Sequence, residues 1–269
     1  MRRGLMFALA GVATVTLGSG ALAGTIRVGG TGAGLAALSL LGEDFTAANP
    51  GIQIEVLPSL GTPGGLRALT ALAIDAAIIS RHLTPAERAL GLQEGACLTT
   101  ALVFASSRRA PEGIARADLP RLYSDFRPTW PDGTALKVIL RNRGGSEIPY
   151  LSAAIQGLGP AFNASFGRPD LPIGETDAKN ADLAERIPGS FAIMTLLQIK
   201  AQRLNLQVVA VDGVLPTAET IANKSYPFAW NVCVVLPASP SADASRFGQY
   251  INSPAGQATL RSLGTTPAN

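Results

Sequence analysis

The sequence predicts an α/β protein in which helices cover a largely parallel sheet. Apolar, β-rich runs alternate with helical patterns along the chain, and a glycine-rich loop follows each of the first two strands. The chain has 269 residues, of which 47% are hydrophobic. This length and composition allow a sizeable buried core, arranged either as one large domain or as two lobes.

The first 23 residues have the pattern of a secretory signal peptide. Two arginines precede an apolar run, and Ala21-Leu22-Ala23 offers the small residues that a signal peptidase reads. Gly18-Ser19-Gly20 interrupts the run short of the roughly 20 apolar residues that span a bilayer. We therefore expect residues 1–23 to be removed and the mature chain to reach the periplasm.

The charge balance gives no sign of a polyanionic partner. The formal net charge is +3, and the expected signal peptide carries two of those charges in Arg2 and Arg3. A nearly neutral mature chain has no general attraction for nucleic acid or for a membrane surface. We expect a monomer that binds no nucleic acid.

Cys97 and Cys233 are the two cysteines of the chain. In an oxidising compartment they either form a disulfide or remain as two buried thiols. A disulfide between residues so far apart in sequence would stabilise the protein by about 4 to 5 kcal/mol in the chain-entropy description. The sequence leaves both alternatives open.

The chain opens with a β-loop-α-β-loop-α-β series, which is typical of a parallel sheet. Asn49-Pro50-Gly51 is a strong turn signal that ends the first helix. Strands are predicted at residues 26–29, 52–57, 76–79, 98–105 and 136–140, and helices at 35–47, at 66–73 and from about 149.

The segment VGGTGAG, residues 28–34, lies where the first strand ends and the first helix begins. A dinucleotide fingerprint would need a third glycine at position 35, where Leu35 stands, although Glu55 is roughly where an acid that binds ribose is expected. Export adds to the case against a nicotinamide cofactor. The better interpretation is anion capture by the free amides and partial positive charge of a helix start.

Two more loops have the same chemistry. GTPGG, residues 61–65, contributes Thr62, and RNRGGSE, residues 141–147, contributes two guanidinium groups. The guanidinium fork of an arginine suits a tetrahedral oxyanion. Three such loops at the carboxyl ends of strands indicate one binding site for a small anion.

The order of segments resembles the substrate-binding proteins of phosphate ABC transporters, which have the type II periplasmic-binding fold. The matching pieces include IRVGGTGAG, FTAANPGIQIEVLPSLGTPGGLRAL, IDAAIISRHLTPAE, VILRNRGGSEIPY and LPTAETIANKSYPFAWNVCVVL. The resemblance implies an α/β, two-lobed fold in which each lobe is a mixed sheet flanked by helices and the ligand cleft lies between the lobes. Residues 24–95 and 235–269 would form lobe 1, and residues 96–234 would form lobe 2.

The same resemblance implies a non-enzymatic protein without a cofactor. It would capture phosphate or a phosphate-like oxyanion and present it to an ABC transporter permease. The ligand contacts carried over by position are Thr31, Gly32, Ala33, Thr62, Ser80, Arg141, Gly145 and Ser146, with Arg81 and Glu147 as further possibilities.

Glu147 departs from the family pattern because it brings a carboxylate to a helix start that the family uses for its ligand. If the side chain points to solvent, it complements the helix dipole and anion capture survives. If it turns into the cleft, it takes the place of the oxyanion or pairs with Arg141. Ser80 stands where some phosphate binders have an aspartate, and its hydroxyl can donate or accept.

Two other functions remain open at this stage. The first is an orphan binding protein with a sensory or accessory role and a non-phosphate ligand. The second is an exported hydrolase, although no Gly-x-Ser-x-Gly motif supports it. His82, the sole histidine, is expected to be a surface or loop residue, and no metal site is predicted from one histidine and two distant cysteines.

Overall fold

The computed structural model describes residues 24–268, so the expected signal peptide lies outside the described residues. The strands are β1 Gly24–Gly30, β2 Ile52–Val56, β3 Ala76–Ile79, β4 Gln93–Ser106, β5 Lys137–Arg141, β6 Ile173–Gly174, β7 Ser190–Thr195, β8 Gln207–Val208, β9 Ala229–Leu236 and β10 Thr266–Pro267. The helices are α1 Gly32–Ala48, α2 Gly61–Thr70, α3 Pro85–Ala89, α4 Leu119–Ser124, α5 Glu147–Ala154, α6 Leu158–Phe166, α7 Asp177–Arg186, α8 Leu196–Ala201, α9 Ala218–Ala222, α10 Ala242–Asn252 and α11 Pro254–Ser262. Within this range no helix is long and apolar enough to cross a membrane.

The strands form a mixed sheet in the order β2-β1-β3-β9-β4-β7-β5-β6, with β8 and β10 each paired to β4. β1 is parallel to both β2 and β3, which confirms the parallel opening that the sequence predicts. β9 is antiparallel to β3 and β4, whereas β5 is parallel to β6 and β7. This is the mixed α/β architecture expected for the two-lobed fold.

β4 passes from one half of the sheet to the other. Its residues 93–101 pair with β9, and its residues 102–105 pair with β7. The two halves therefore share this strand, and its pairing partner changes between Ala101 and Leu102. The lobe limits given above, 24–95 with 235–269 and 96–234, stay a prediction.

Helix α1 follows β1 through a turn that requires glycine. Gly30 has φ +125°, and a Cβ atom at this position would collide with the carbonyl oxygen of Ile78 on β3. The buried side chains of α1 recur at helical spacing, at Ala37, Leu38, Leu41 and Phe45, and pack on the sheet. The start of α1 is thereby fixed at the carboxyl end of β1.

Helix α2 begins at Gly61, five residues before the predicted start at 66. The glycines of this segment led to the prediction of a loop. Pro63 lies in the first turn of the helix, where the absence of its N–H does not matter. The second glycine-rich loop is therefore mostly the first turn of a helix.

Cys97 on β4 and Cys233 on β9 are directly opposite each other and form a disulfide. Of the two alternatives that the sequence leaves open, the paired form is the one in the structure. The disulfide covalently joins two neighbouring strands in the half of the sheet that contains β1.

Candidate functional site

A cavity of about 350 Å³ is lined by residues from both halves of the sheet. Four helices of eight or more residues, α1, α2, α5 and α7, begin at its wall. Their contributions are Thr31 and Ala33 from α1, Gly61 and Thr62 from α2, Gly145, Ser146 and Glu147 from α5, and Thr176 and Asp177 from α7. The carboxyl ends of the strands bring these helix starts together, as open α/β sheets do.

Three of these helix starts lack a side-chain cap. The residues before α1, α2 and α5 are Thr31, Leu60 and Ser146, and none of their side chains bonds to the first amides of its helix. By contrast, Ser241 and Ser253 cap α10 and α11, which begin away from the cavity. Uncapped amides at the positive end of a helix dipole are in general suited to bind an anion.

Three predicted hydroxyl residues form one hydrogen-bonded chain at the carboxyl ends of β1 and β3 and the start of α2. The backbone N–H of Ser80 donates to Oγ1 of Thr62 at 3.0 Å, and the Ser80 hydroxyl donates to Oγ1 of Thr31 at 3.1 Å. Thr31 and Thr62 are buried. The hydroxyls are thus held in position at the starts of α1 and α2.

Arg141 ends β5, and its buried guanidinium is already paired. Nε donates to Oε1 of Glu147, and Nη2 donates to Oδ1 of Asp177 at 2.9 Å. Nη1 donates to the carbonyl oxygens of Gly174 at 3.3 Å and Thr176 at 3.2 Å. Of the alternatives weighed for Glu147, the structure has the one in which it pairs with Arg141.

This arrangement shifts the pKa values of Arg141 and Asp177. Burial acts to lower the pKa of Arg141, but the carboxylates of Glu147 and Asp177 outweigh it, so the net shift is upward. Burial raises the pKa of Asp177, the nearby Glu147 adds to the rise, and Arg141 and the Ala33 amide act against it without reversing it. Asp177 therefore keeps its proton to higher pH than an ordinary aspartate.

The structure brings most of the predicted site residues together. The cavity wall contains Thr31, Ala33, Thr62, Ser80, Arg141, Gly145, Ser146 and Glu147. Gly32, the first residue of α1, is buried beneath Asp177. Arg81 lies outside the wall, and its guanidinium pairs with Glu87 at 2.7 Å.

The sequence interpretation missed the fourth helix start. Glu175, Thr176 and Asp177 all line the cavity. Thr176 caps α7 by accepting from the backbone N–H of Lys179 at 3.1 Å. The segment GETDAKN, residues 174–180, carries the Thr-Asp signal of a helix start after a short strand, which would have identified this loop.

Known structures with the same fold include proteins of different classes. A Clostridium perfringens protein assigned as a phosphate ABC transporter substrate-binding protein, solved with bound phosphate, matches with a TM-score of 0.73 at 16% identity over 91% of this chain and 100% of its own. The periplasmic molybdate-binding protein of Azotobacter vinelandii matches with a TM-score of 0.61 at 13% identity, over 91% of this chain and 100% of its own. The regulatory domain of a LysR family regulator from N. meningitidis matches with a TM-score of 0.53 at 13% identity, over 92% of this chain and 99% of its own.

At these identities the likeness establishes the fold and leaves the ligand open. No curated relative matches the sequence. The family model of the PBP superfamily domain matches residues 16–255, which is most of the chain. The strand order, the cavity between the two halves of the sheet and this match together assign the chain to the PBP superfamily, with the fold of phosphate-type transporter substrate-binding proteins.

Proposed function

We propose that this chain is a periplasmic solute-binding protein that captures a small oxyanion, phosphate or phosphate-like, for an ABC transporter permease. The ligand would lie in the 350 Å³ cavity between residues 24–95 with 235–269 on one side and 96–234 on the other. Closure of the two lobes on the ligand would create the form that the permease recognises. The proposal assigns the protein no catalytic step.

One observation carries the proposal: three uncapped helix starts face one cavity. The side chains of the N-cap residues of α1, α2 and α5 do not compete for the first amides of these helices. At the start of α1, the Ala33 amide donates to Asp177, so an oxyanion would have to displace that carboxylate there. The hydroxyls of Thr31, Thr62 and Ser80 lie beside these amides. Amides and hydroxyls together suit a small ligand with several oxygen acceptors.

The pairing of Arg141 limits which form of the ligand binds well. A fully ionised oxyanion gains the guanidinium only if it displaces the carboxylate of Asp177 or Glu147. When Asp177 is protonated, its hydroxyl can instead donate to the oxyanion. We therefore expect the amides to supply most of the affinity and Arg141 to position the two acids.

A second candidate is a binding protein with a sensory or accessory role and a ligand that carries a cationic group. The observation that favours it is the charge of the cavity wall. Among residues 24–268, the wall contains one guanidinium, Arg141, against the three carboxylates of Glu147, Glu175 and Asp177. An ammonium group would pair with the excess carboxylate.

Isothermal titration calorimetry separates the two candidates. The mature chain is titrated with phosphate, sulfate, molybdate, acetate, a zwitterionic amino acid and an alkylammonium salt. We expect one site for at least one of the oxyanions. Binding of the ammonium or amino acid alone would favour the second candidate, and silence from every compound would contradict both.

Matched variants then locate the site. Thr62→Val removes a hydroxyl beside the proposed ligand and is expected to weaken oxyanion binding at least about tenfold, since a hydrogen bond to a charged group contributes roughly 1.5 to 3 kcal/mol. Thr259→Val removes a hydroxyl that bonds to Asp44, which lies in the second half of α1 and outside the cavity wall. That control is expected to bind like the wild type, and equal losses in both variants would place the ligand elsewhere.

A further inference from the structure

His82, Glu94, Cys97 and Cys233 form a cluster outside the cavity, and each offers one potential ligand atom within 4.8 Å of the other three. Three neighbouring strands bring them together. His82 follows β3, in which Ile79 pairs with Cys233 of β9, and Cys233 pairs with Cys97 of β4. Glu94 lies near the beginning of β4. The residues are distant in sequence, so the sequence alone predicts no metal site.

The contacts of His82 already have the spacing of a tetrahedral zinc site. Its Nδ1 atom lies 3.3 Å from Oε2 of Glu94, 3.5 Å from Sγ of Cys97 and 3.6 Å from Sγ of Cys233. With zinc–nitrogen and zinc–oxygen bonds near 2.0 Å and zinc–sulfur bonds near 2.3 Å, tetrahedral geometry sets nitrogen–oxygen and nitrogen–sulfur separations of about 3.3 and 3.5 Å. The sulfur–sulfur separation differs, because a disulfide bonds two atoms that zinc would hold about 3.8 Å apart. Glu94 Oε2 lies within 4.8 Å of both sulfurs.

One carboxylate oxygen of Glu94 accepts hydrogen bonds from neighbouring residues, and the other faces the cluster. Its Oε1 accepts from the backbone N–H of Leu83 at 2.5 Å and from Nη2 of Arg88 at 2.8 Å. Its Oε2 is the atom that faces His82. Partners of this kind orient metal ligands in known sites.

The cluster is accessible to an ion from solvent. The side chain of His82 is 41% exposed and that of Glu94 is 21% exposed, whereas Cys233 is fully buried. An ion entering past His82 meets both sulfur atoms at the bottom of the cluster. Two thiolates and one carboxylate would supply three negative charges, enough to neutralise a divalent cation beside Arg88.

We propose that reduction of the Cys97–Cys233 disulfide turns this cluster into a Zn²⁺ site with Cys₂-His-Glu ligation. A dithiol supplies two electrons and two protons, which cleave the disulfide to two thiols while the dithiol itself becomes a disulfide. Zn²⁺ then binds both sulfurs, His82 Nδ1 and Glu94 Oε2, and the two thiol protons are released to solvent. The ion replaces the disulfide as the link between β4 and β9.

Zinc binding to reduced and oxidised protein tests the proposal. The chain is reduced under anaerobic conditions with a phosphine, freed of reductant and titrated with Zn²⁺ against a chromophoric chelator. One equivalent is expected to bind to the reduced chain and none with comparable affinity to the oxidised chain. Co²⁺ is expected to give the intense thiolate-to-metal absorption of a tetrahedral site in the reduced chain alone. Equal binding in both states, or no binding after reduction, overturns the proposal.

Three variants test the ligand set. His82→Ala and Glu94→Gln are each expected to lower zinc affinity at least about tenfold. Glu87→Gln is the control, because its carboxylate lies on the same surface but pairs with Arg81 and not with the cluster. Unchanged affinity in the first two variants, or an equal loss in the control, contradicts the assignment. Should the reduced chain unfold, Zn²⁺ is expected to restore its folded circular dichroism spectrum, and failure to do so also overturns the proposal.

Discussion

The carboxylate of Asp177 lies against the start of α1, with Oδ2 2.6 Å from the position that a Cβ atom on Gly32 would take. The backbone amide of Ala33 acts on the same carboxylate as a hydrogen-bond donor, and Arg141 donates to its other oxygen. An acid from α7 therefore occupies the helix start that the sequence assigns to the ligand. It links the two halves of the molecule through charge and hydrogen bonds.

The first prediction is that Asp177→Asn strengthens oxyanion binding. The variant removes a negative charge from the proposed site, and a unit charge at 4 Å is worth up to about 4 kcal/mol at an effective dielectric constant of 20. Reorganisation and partial protonation reduce this, so we expect a gain of at least about tenfold in sulfate affinity at pH 8 by calorimetry. Asp182→Asn, an exposed change on the same helix that faces Lys179 and Arg186, is expected to leave affinity unchanged. Equal affinity in the wild type and in Asp177→Asn would show that Asp177 does not compete with the ligand.

The second prediction concerns pH and stability. The folded protein raises the pKa of Asp177 above its ordinary value of 3.8, so the folded state binds more protons than the unfolded chain between the two pKa values. The contribution of this group to the unfolding free energy is full below pH 3.8 and is lost as pH rises through the folded pKa.

Urea denaturation across that interval measures the effect. The unfolding free energy of the wild type, relative to that of Asp177→Asn at each pH, is expected to fall as pH rises from 4 towards neutrality. The comparison removes the contributions of other acids, such as Glu87, whose pKa Arg81 lowers to about 2. A difference that is independent of pH, or that rises with pH, would contradict a raised pKa.

The third prediction concerns the buried group of three charges. Arg141→Met leaves Glu147 and Asp177 without their cation and is expected to cost about 3 to 5 kcal/mol in urea denaturation. Combining it with Glu147→Gln and Asp177→Asn removes the uncompensated charges, so most of the loss is expected to be recovered. Full additivity of the three changes would mean that the groups do not interact.

The fourth prediction concerns the turn between β1 and α1. Gly51→Ala changes a glycine with φ +99° that has open space around it, so it isolates the backbone cost, about 1 to 3 kcal/mol. Gly30→Ala has φ +125° and adds a collision with the carbonyl oxygen of Ile78, so a larger loss is expected in denaturation. A smaller loss at Gly30 than at Gly51 would show that β1 and β3 can separate without cost.

Local patterns were enough to predict the elements of the parallel opening, whereas the two-lobed fold with mixed sheets was predicted from the resemblance to a known family. The strands at 52–57 and 76–79 and the helix at 35–47 agree with β2, β3 and α1 to within a few residues, because apolar periodicity and the Asn49-Pro50-Gly51 turn are read along the chain. The start of α2 was misplaced because glycine and proline favour a loop by propensity, whereas the first helical turn tolerates both.

The site was only partly predictable because its charges come from separate segments. The loops at 28–34, 61–65 and 141–147 each carry a strand-end signal, and their residues meet in one cavity. The pairing of Arg141 with Asp177 joins residues 36 positions apart, and no local pattern indicates which carboxylate reaches a given guanidinium. The cluster around Cys97 is likewise a product of strand order.

The strand shared by the two halves of the sheet determines how the molecule can open. β4 continues without a break from its pairing with β9 into its pairing with β7, and the Leu102 N–H still donates to Phe228 at the crossing. Relative rotation of the two halves must therefore bend the hydrogen-bonded strands themselves, because no loop is available at this crossing to act as a hinge. The Cys97–Cys233 disulfide lies four residues from the crossing and holds β4 to β9. Breaking it would make this part of the sheet easier to bend and the cleft easier to open.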